Sequence, residues 1–109
     1  MPDTGRIAKP RTASYDPALS VRRGERVTLG QNDPENPGWR WVMNAQGLGG
    51  WVPEDALQGD VMVEDFDTAE LSVQPGQVVE VLQIRLGWCH AALPEGGTGW
   101  LPASVLVRK

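Results

Sequence analysis

The sequence predicts an all-β chain built as two small five-stranded barrels in tandem. Three observations carry that expectation. Glycine (13) and proline (9) are plentiful for 109 residues, which is the composition of short strands joined by tight turns. No long stretch repeats apolar residues at the helical period, so extended helices are not expected. The second half of the chain also repeats the first, motif by motif.

The repeat can be followed element by element. Leu19-Ser20-Val21-Arg22-Arg23-Gly24 matches Leu71-Ser72-Val73-Gln74-Pro75-Gly76. Gly24 and Gly76 each follow an apolar pair and precede another strand, so each is expected to take a positive φ in a tight turn. Val27 and Leu29 then match Val79 and Val81, in segments that alternate as half-buried strands. Gly38-Trp39 matches Gly87-Trp88 and opens the next strand, Trp39–Met43 in one copy and Trp88–Ala92 in the other. Asn44-Ala45-Gln46-Gly47 and Pro94-Glu95-Gly96-Gly97 read as turns. The returning strand carries Gly50-Trp51-Val52-Pro53 or Gly99-Trp100-Leu101-Pro102, and proline stops it because it cannot donate to a ladder. Leu57 and Leu106 mark a last strand. The interval from Trp39 to Trp51 is twelve residues, as is Trp88 to Trp100, but Gly24 to Trp39 is fifteen against twelve for Gly76 to Trp88. The three extra residues fall within Gln31–Pro37, a polar, proline-bearing loop where insertion costs little.

These motifs resemble the Src homology 3 (SH3) family: Leu-Ser-aromatic or aliphatic-x-x-Gly, a Trp opening the third strand, and Gly-aromatic-aliphatic-Pro leading into a short 3₁₀ turn. Both copies carry all three in order, over roughly residues 6–57 and 61–108. Asp65-Phe66-Asp67 resembles the family's Ala-Leu-Tyr-Asp-Tyr segment, with Phe66 at its last aromatic place, and the first long loop of the second copy is shortened. Tyr15 falls within the corresponding loop of the first copy. The organisation expected is a flexible tail at 1–5, one domain at 6–57, a linker at 58–60 and a second domain at 61–109.

The resemblance implies a shallow groove that binds an extended, proline-bearing peptide. Residue by residue it implies Trp39, Trp51 and Pro53 in the first copy, and Phe66, Trp88, Trp100 and Pro102 in the second. Such grooves favour polyproline-II ligands because a pre-extended chain loses little entropy on docking. Ala56 and Val105 stand where the family has the 3₁₀ Tyr, which removes one wall of a proline slot. Acidic loop residues that would pair with a basic ligand side chain are Asp16, Asp33 and Glu35, then Asp67 and Glu70. Trp39 and Trp88 are expected to be partly exposed beside Pro53 and Pro102. Trp41 shares a strand face with Trp39; it either extends an aromatic surface or packs against the other module. Trp51 and Trp100 could be covered by the tandem interface.

Charge and composition narrow the function classes. Residues 1–58 carry seven Lys/Arg and seven Asp/Glu; residues 59–109 carry three and seven, which places the whole net charge of −4 in the second half. That acidic half would repel phosphate, so nucleic acid is not an expected partner. The basic cluster of Arg6, Lys9, Arg11, Arg22, Arg23 and Arg26 reads as a solvated face. The single cysteine, Cys89, reads as a half-buried apolar residue, and no signal-like or membrane-spanning stretch is seen, which points to the reducing cytoplasm. His90 reads as solvated. One histidine offers no nucleophile–base–orienter set, and strand alternation splits Glu64, Asp65 and Asp67 between faces, so neither an enzyme nor a metal or cofactor site is expected. The function expected is a non-catalytic tandem module whose partner is a protein or extended peptide. The alternatives are an oligomerisation subunit with its Trp-bearing faces buried, or a bacterial cell-wall ligand binder. Only Gln58-Gly59-Asp60 separates the copies, a reach of about 10 Å when extended, so the barrels are expected to touch or nearly touch, with Trp41 buried between them.

Overall fold

The computed structural model describes residues 3–14 and 17–108. In chain order the strands are β1 (Asp3–Ile7), β2 (Ser20–Val21), β3 (Thr28–Asn32), β4 (Trp39–Met43), β5 (Gly49–Pro53), β6 (Leu57–Gln58) and β7 (Val61–Met62). They continue with β8 (Phe66–Asp67), β9 (Val78–Arg85), β10 (Trp88–Ala92), β11 (Thr98–Pro102) and β12 (Leu106–Arg108). Single 3₁₀ turns at Glu54–Ala56 and Ala103–Val105 follow the two Pro-terminated strands, so the all-β expectation holds. The ladders remain open sheets and do not close into continuous barrels.

Two compact units form, and their limits depart from the repeat boundaries. A contiguous unit runs from residue 15 to Thr68; a split unit joins residues 1–14 to Ala69 onward. The expected domains 6–57 and 61–109 are therefore exchanged at their first segments. The cause lies at residues 58–60, where a linker was expected. Gln58 pairs with Val61 and Leu57 with Met62 across a two-residue turn, with Gly59 at φ +62°. A turn this tight makes neighbouring strands antiparallel partners. It folds the second repeat's opening segment back onto the first. Asp60 is tied in as well: its carbonyl accepts from Val27 N at 2.8 Å and its carboxylate pairs with Arg26 at 2.7 Å. β8 then pairs with β2, Val21 opposite Phe66.

The N-terminal segment supplies the strand that the split unit would otherwise lack. β1 lies between β9 and β12 in the order β11-β10-β9-β1-β12, antiparallel to both neighbours. The expectation of a flexible tail at 1–5 is thus corrected at Asp3–Gly5, which hydrogen-bond within a sheet; Met1 and Pro2 lie outside the described residues. Arg108 also forms an ion pair with Asp3.

Each unit has its own buried residues. In the contiguous unit Leu19, Val21, Val42, Val52, Ala56 and Met62 are at most 1% exposed, and Met62 comes from the second repeat's sequence. In the split unit the core is Ile7, Leu71, Val73, Val79, Val81, Cys89, Ala91, Leu101 and Val105. Ile7 is the first-repeat residue in that set. Strand alternation accounts for it, since even and odd positions face opposite ways.

The turns follow the residue chemistry. Gly24 and Gly76 take φ of +88° and +93° in equivalent turns, as their positions in the repeat predict. At Asn44–Gly47 the Asn44 side chain accepts from the backbone of Gln46 and Leu48. The three-residue insertion is also located. The contiguous unit spans β3 to β4 with a loop held by Asp33, whereas β9 and β10 are joined by the two residues Leu86 and Gly87, since Arg85 pairs with Trp88. Both have positive φ, +50° and +83°, the geometry of a type I′ turn. Leucine is poorly suited to the first position.

Two outcomes are expected. Excised residues 15–68 should give a cooperative melt with β-type circular dichroism, whereas residues 1–58, a complete repeat by sequence, should not; equal folding of both fragments would contradict the exchange. Leu86→Asn should raise stability by about 1 kcal/mol in a denaturant titration, because asparagine tolerates the left-handed region and Leu86 is already half exposed.

Candidate functional site

In the contiguous unit the sites implied by sequence gather on one face of the β3–β4–β5 sheet. Trp39 pairs with Pro53, and Trp41 with Trp51, across β4 and β5. Trp39 is buried, 4% exposed, with its ring edge-on to Phe66 at 6.0 Å and 62°. This corrects two expectations. Trp39 is not partly exposed, and Phe66 does not serve the second copy's groove beside Trp88, because β8 belongs to the contiguous unit. Pro53 is fully buried.

What remains open on this face is the neighbouring pair. Trp41 and Trp51 are half-buried, edge-to-face with centroids 5.1 Å apart at 73°. Trp41 lies across two glycines. A Cβ at Gly30 would stand 2.8 Å from its Cδ1, and one at Gly49 2.3 Å from its Cζ2. Only hydrogen at those positions lets the indole lie flat on the sheet. The result is a rigid aromatic platform. Trp41 thus packs on its own sheet.

The split unit repeats this layout with different chemistry. Trp88 pairs with Pro102 and His90 with Trp100 across β10 and β11. Trp88 and Pro102 are half-buried, as expected for Trp88, while Trp100 is 5% exposed. His90 takes the place of Trp41, stacked on Trp100 at 4.8 Å and 23°. Arg11 takes the place of Phe66: it bridges to Val73 as Phe66 pairs with Val21. Its guanidinium lies 5.2 Å from the Trp88 ring centroid, within cation–π range, and bonds to Glu70 at 3.2 Å. Its Nε is buried without a hydrogen-bond acceptor. The reading of Arg11 as part of a solvated basic face is thus corrected.

The acidic candidates divide. Asp33 spends its carboxylate on its own loop, accepting from Glu35 N, Asn36 N and Asn36 Nδ2. Glu70 accepts from Arg11 and from Ser14 N, with its side chain only 9% exposed. Both carboxylates are thus engaged by the chain itself. Glu35 and Asp67 are exposed. Asp16 and Tyr15 lie outside the described residues. Ala56 and Val105 are buried at the 3₁₀ turns, so neither offers the polar, protruding wall of a tyrosine.

Sequence comparison decides the family. The variant SH3 domain family matches the chain twice, over residues 4–59 and 63–107. The chain belongs to the variant SH3 domain family. No curated protein and no solved structure matches it. SH3-like domains are generally protein-interaction modules and are typically non-catalytic. The two matches follow the repeat, and the exchange of first segments is superimposed on that repeat in space. Among the described residues, no helix is long and apolar enough to cross a membrane.

Burial also governs the lone thiol. Cys89 is 0% exposed and desolvation pushes its pKa above the ordinary thiol value. Alkylation at pH 8 should therefore be about a hundredfold or more slower than in the unfolded chain, and should accelerate with denaturant in step with unfolding of the split unit. Because the unfolded thiol ionises first, stability should fall as pH rises past about 8.5. Rapid alkylation without denaturant would contradict the burial.

Proposed function

We propose that this tandem variant SH3 protein is a non-catalytic binding module that takes an extended peptide or protein segment across the Trp41–Trp51 platform of its contiguous unit. Trp88 and Pro102 form a smaller apolar ledge on the split unit. The observation that supports the reading is the half-exposed, edge-to-face Trp pair held flat over Gly30 and Gly49. Rigid aromatics offer large contact area at little entropic cost, and they dominate the energetics of small interfaces. A pre-extended, proline-bearing segment matches such a platform, since it too loses little freedom on docking. Glu35 and Asp67 would favour a basic residue in that segment. The single buried thiol fits a reducing, cytoplasmic setting.

A second reading draws on the burial of Trp39 and Trp100. Those two aromatics support the view that part of the implied groove is consumed by packing, as in a structural or oligomerisation subunit. Light scattering across a concentration series separates the two readings.

The test is a displayed library of extended peptides, with and without proline, selected on the immobilised full chain. Selected peptides should shift the indole Nε1–H signals of Trp41 and Trp51, and Trp51→Ala should weaken binding by about 2 kcal/mol. Peptides that bind equally well to Trp41→Ala, Trp51→Ala and Trp88→Ala chains would remove both surfaces from contention.

A further inference from the structure

Residues 3–14 lie on the rest of the split unit as a bound strand lies on a receptor. β1 is inserted between β9 and β12, with Gly5 opposite both Val79 and Arg108. Ile7 is the first anchor: it is 1% exposed, its N–H donates to Gln77 O and its carbonyl accepts from Gly76 N, both at 2.8 Å. Arg11 is the second. It exchanges backbone bonds with Val73 at 3.0 and 2.8 Å, while its side chain engages Trp88 and Glu70. Beyond it, Ala13 N donates to Ser72 Oγ and Ser14 N to Glu70. Gly5 sets a steric filter, since a Cβ there would come within 2.6 Å of Leu106 Cδ1. These partners all lie at least 56 positions away in sequence.

We propose that residues 69–108 form an acceptor for an extended segment of this pattern, and that the N-terminal segment of a second copy of this chain fills it by reciprocal exchange. Each contact of residues 3–14 is encoded in the chain itself, so the same segment from another copy makes the same contacts at no energetic loss. Main-chain pairing supplies affinity, and the Ile7 and Arg11 anchors supply specificity. The equivalent segment of the contiguous unit, residues 61–67, is not free to exchange, because the two-residue β6–β7 turn holds it to β6. A tethered strand competes with an effective concentration on the order of millimolar, so exchange between copies emerges near that concentration or when the chain's own segment is spoilt.

Two arms test this. In the first, full-length Ile7→Asp is titrated with a fluorescent peptide of residues 3–14. The peptide should bind, and it should raise the melting temperature toward that of the parent. It should bind the parent chain at least about a hundredfold more weakly, because the parent's own segment holds the site. Peptides carrying Gly5→Val or Arg11→Ala should bind at least about tenfold more weakly. If Ile7→Asp is unfolded alone, folding driven by the peptide reads the same equilibrium. No binding and no folding at millimolar peptide overturns the acceptor, as does equal binding to the parent chain. In the second arm, Ile7→Asp is mixed with full-length Leu101→Asp, which keeps a sound donor segment but a spoilt acceptor core. A 1:1 species of twice the chain mass by light scattering, absent from either variant alone, supports the second copy as occupant. Peptide binding without that species overturns it.

Discussion

The structure depends on a two-residue turn. Gly59 and Asp60 leave no room for the chain to travel onward to a separate module. Val61 must return beside Gln58, and Met62 is carried into the core of the unit it was expected to leave. Once residues 61–67 are committed there, the second repeat's remainder lacks its first strand. The N-terminal segment supplies it, pairing on both sides between β9 and β12. The exchange is therefore a consequence of local turn geometry propagated through an obligatory requirement, that the backbone donors of a sheet find partners.

Exchange also changes the chemistry of the two sheet faces. Within the repeat, equivalent positions across the strand pairs are Phe66 and Arg11, then Trp41 and His90. The contiguous unit thus carries aromatic residues at both, and the split unit carries a guanidinium and an imidazole. Where Phe66 packs edge-on to Trp39, Arg11 lies over Trp88 and needs Glu70 as a counter-charge. That need explains why Glu70 is turned inward and only 9% exposed: a half-buried guanidinium without a partner would be costly. The two surfaces consequently differ in chemistry, although they share one sequence motif.

Much of the fold was legible because the repeat rests on residues with narrow conformational ranges. Gly24, Gly76, Pro53 and Pro102 can occupy few backbone states, so their recurrence marks the same turns and strand ends in both copies. Which copy each first strand joins was not legible. Asp3–Ile7 and Val61–Asp67 are short and weakly patterned, and strand pairing is a long-range choice that periodicity does not encode. The burial of Trp39 followed from that choice, since the ring that meets it, Phe66, was assigned to the other copy. Arg11 was obscured for the same reason. In sequence it sits among other basic residues, and its equivalence with Phe66 exists only after the exchange. A two-residue gap between Gln58 and Val61 with glycine at its first position was the one available signal, since it fits a hairpin better than a linker.

The two chain crossings, after Ser14 and after Thr68, give the units unequal standing. The contiguous unit closes its ladders from one uninterrupted stretch, so its loop-closure cost is that of an ordinary small domain. The split unit must bring Asp3 to Val81 and Gly5 to Arg108, closures of seventy residues or more, before β1 contributes anything. Folding order follows from this asymmetry. When the contiguous unit forms first, it fixes one end of each crossing and shortens the effective loop that β1 must close. The aromatic platform on Trp41 and Trp51 lies in the contiguous unit, whereas the split unit needs β1 between β9 and β12. A binding surface on the contiguous unit would tolerate fluctuation of β1, while the ledge at Trp88, whose guanidinium neighbour arrives on the N-terminal segment, would not. The proposed surface at Trp41 and Trp51 accordingly depends on fewer long-range closures than the one at Trp88, for reasons that lie in connectivity rather than in the side chains themselves.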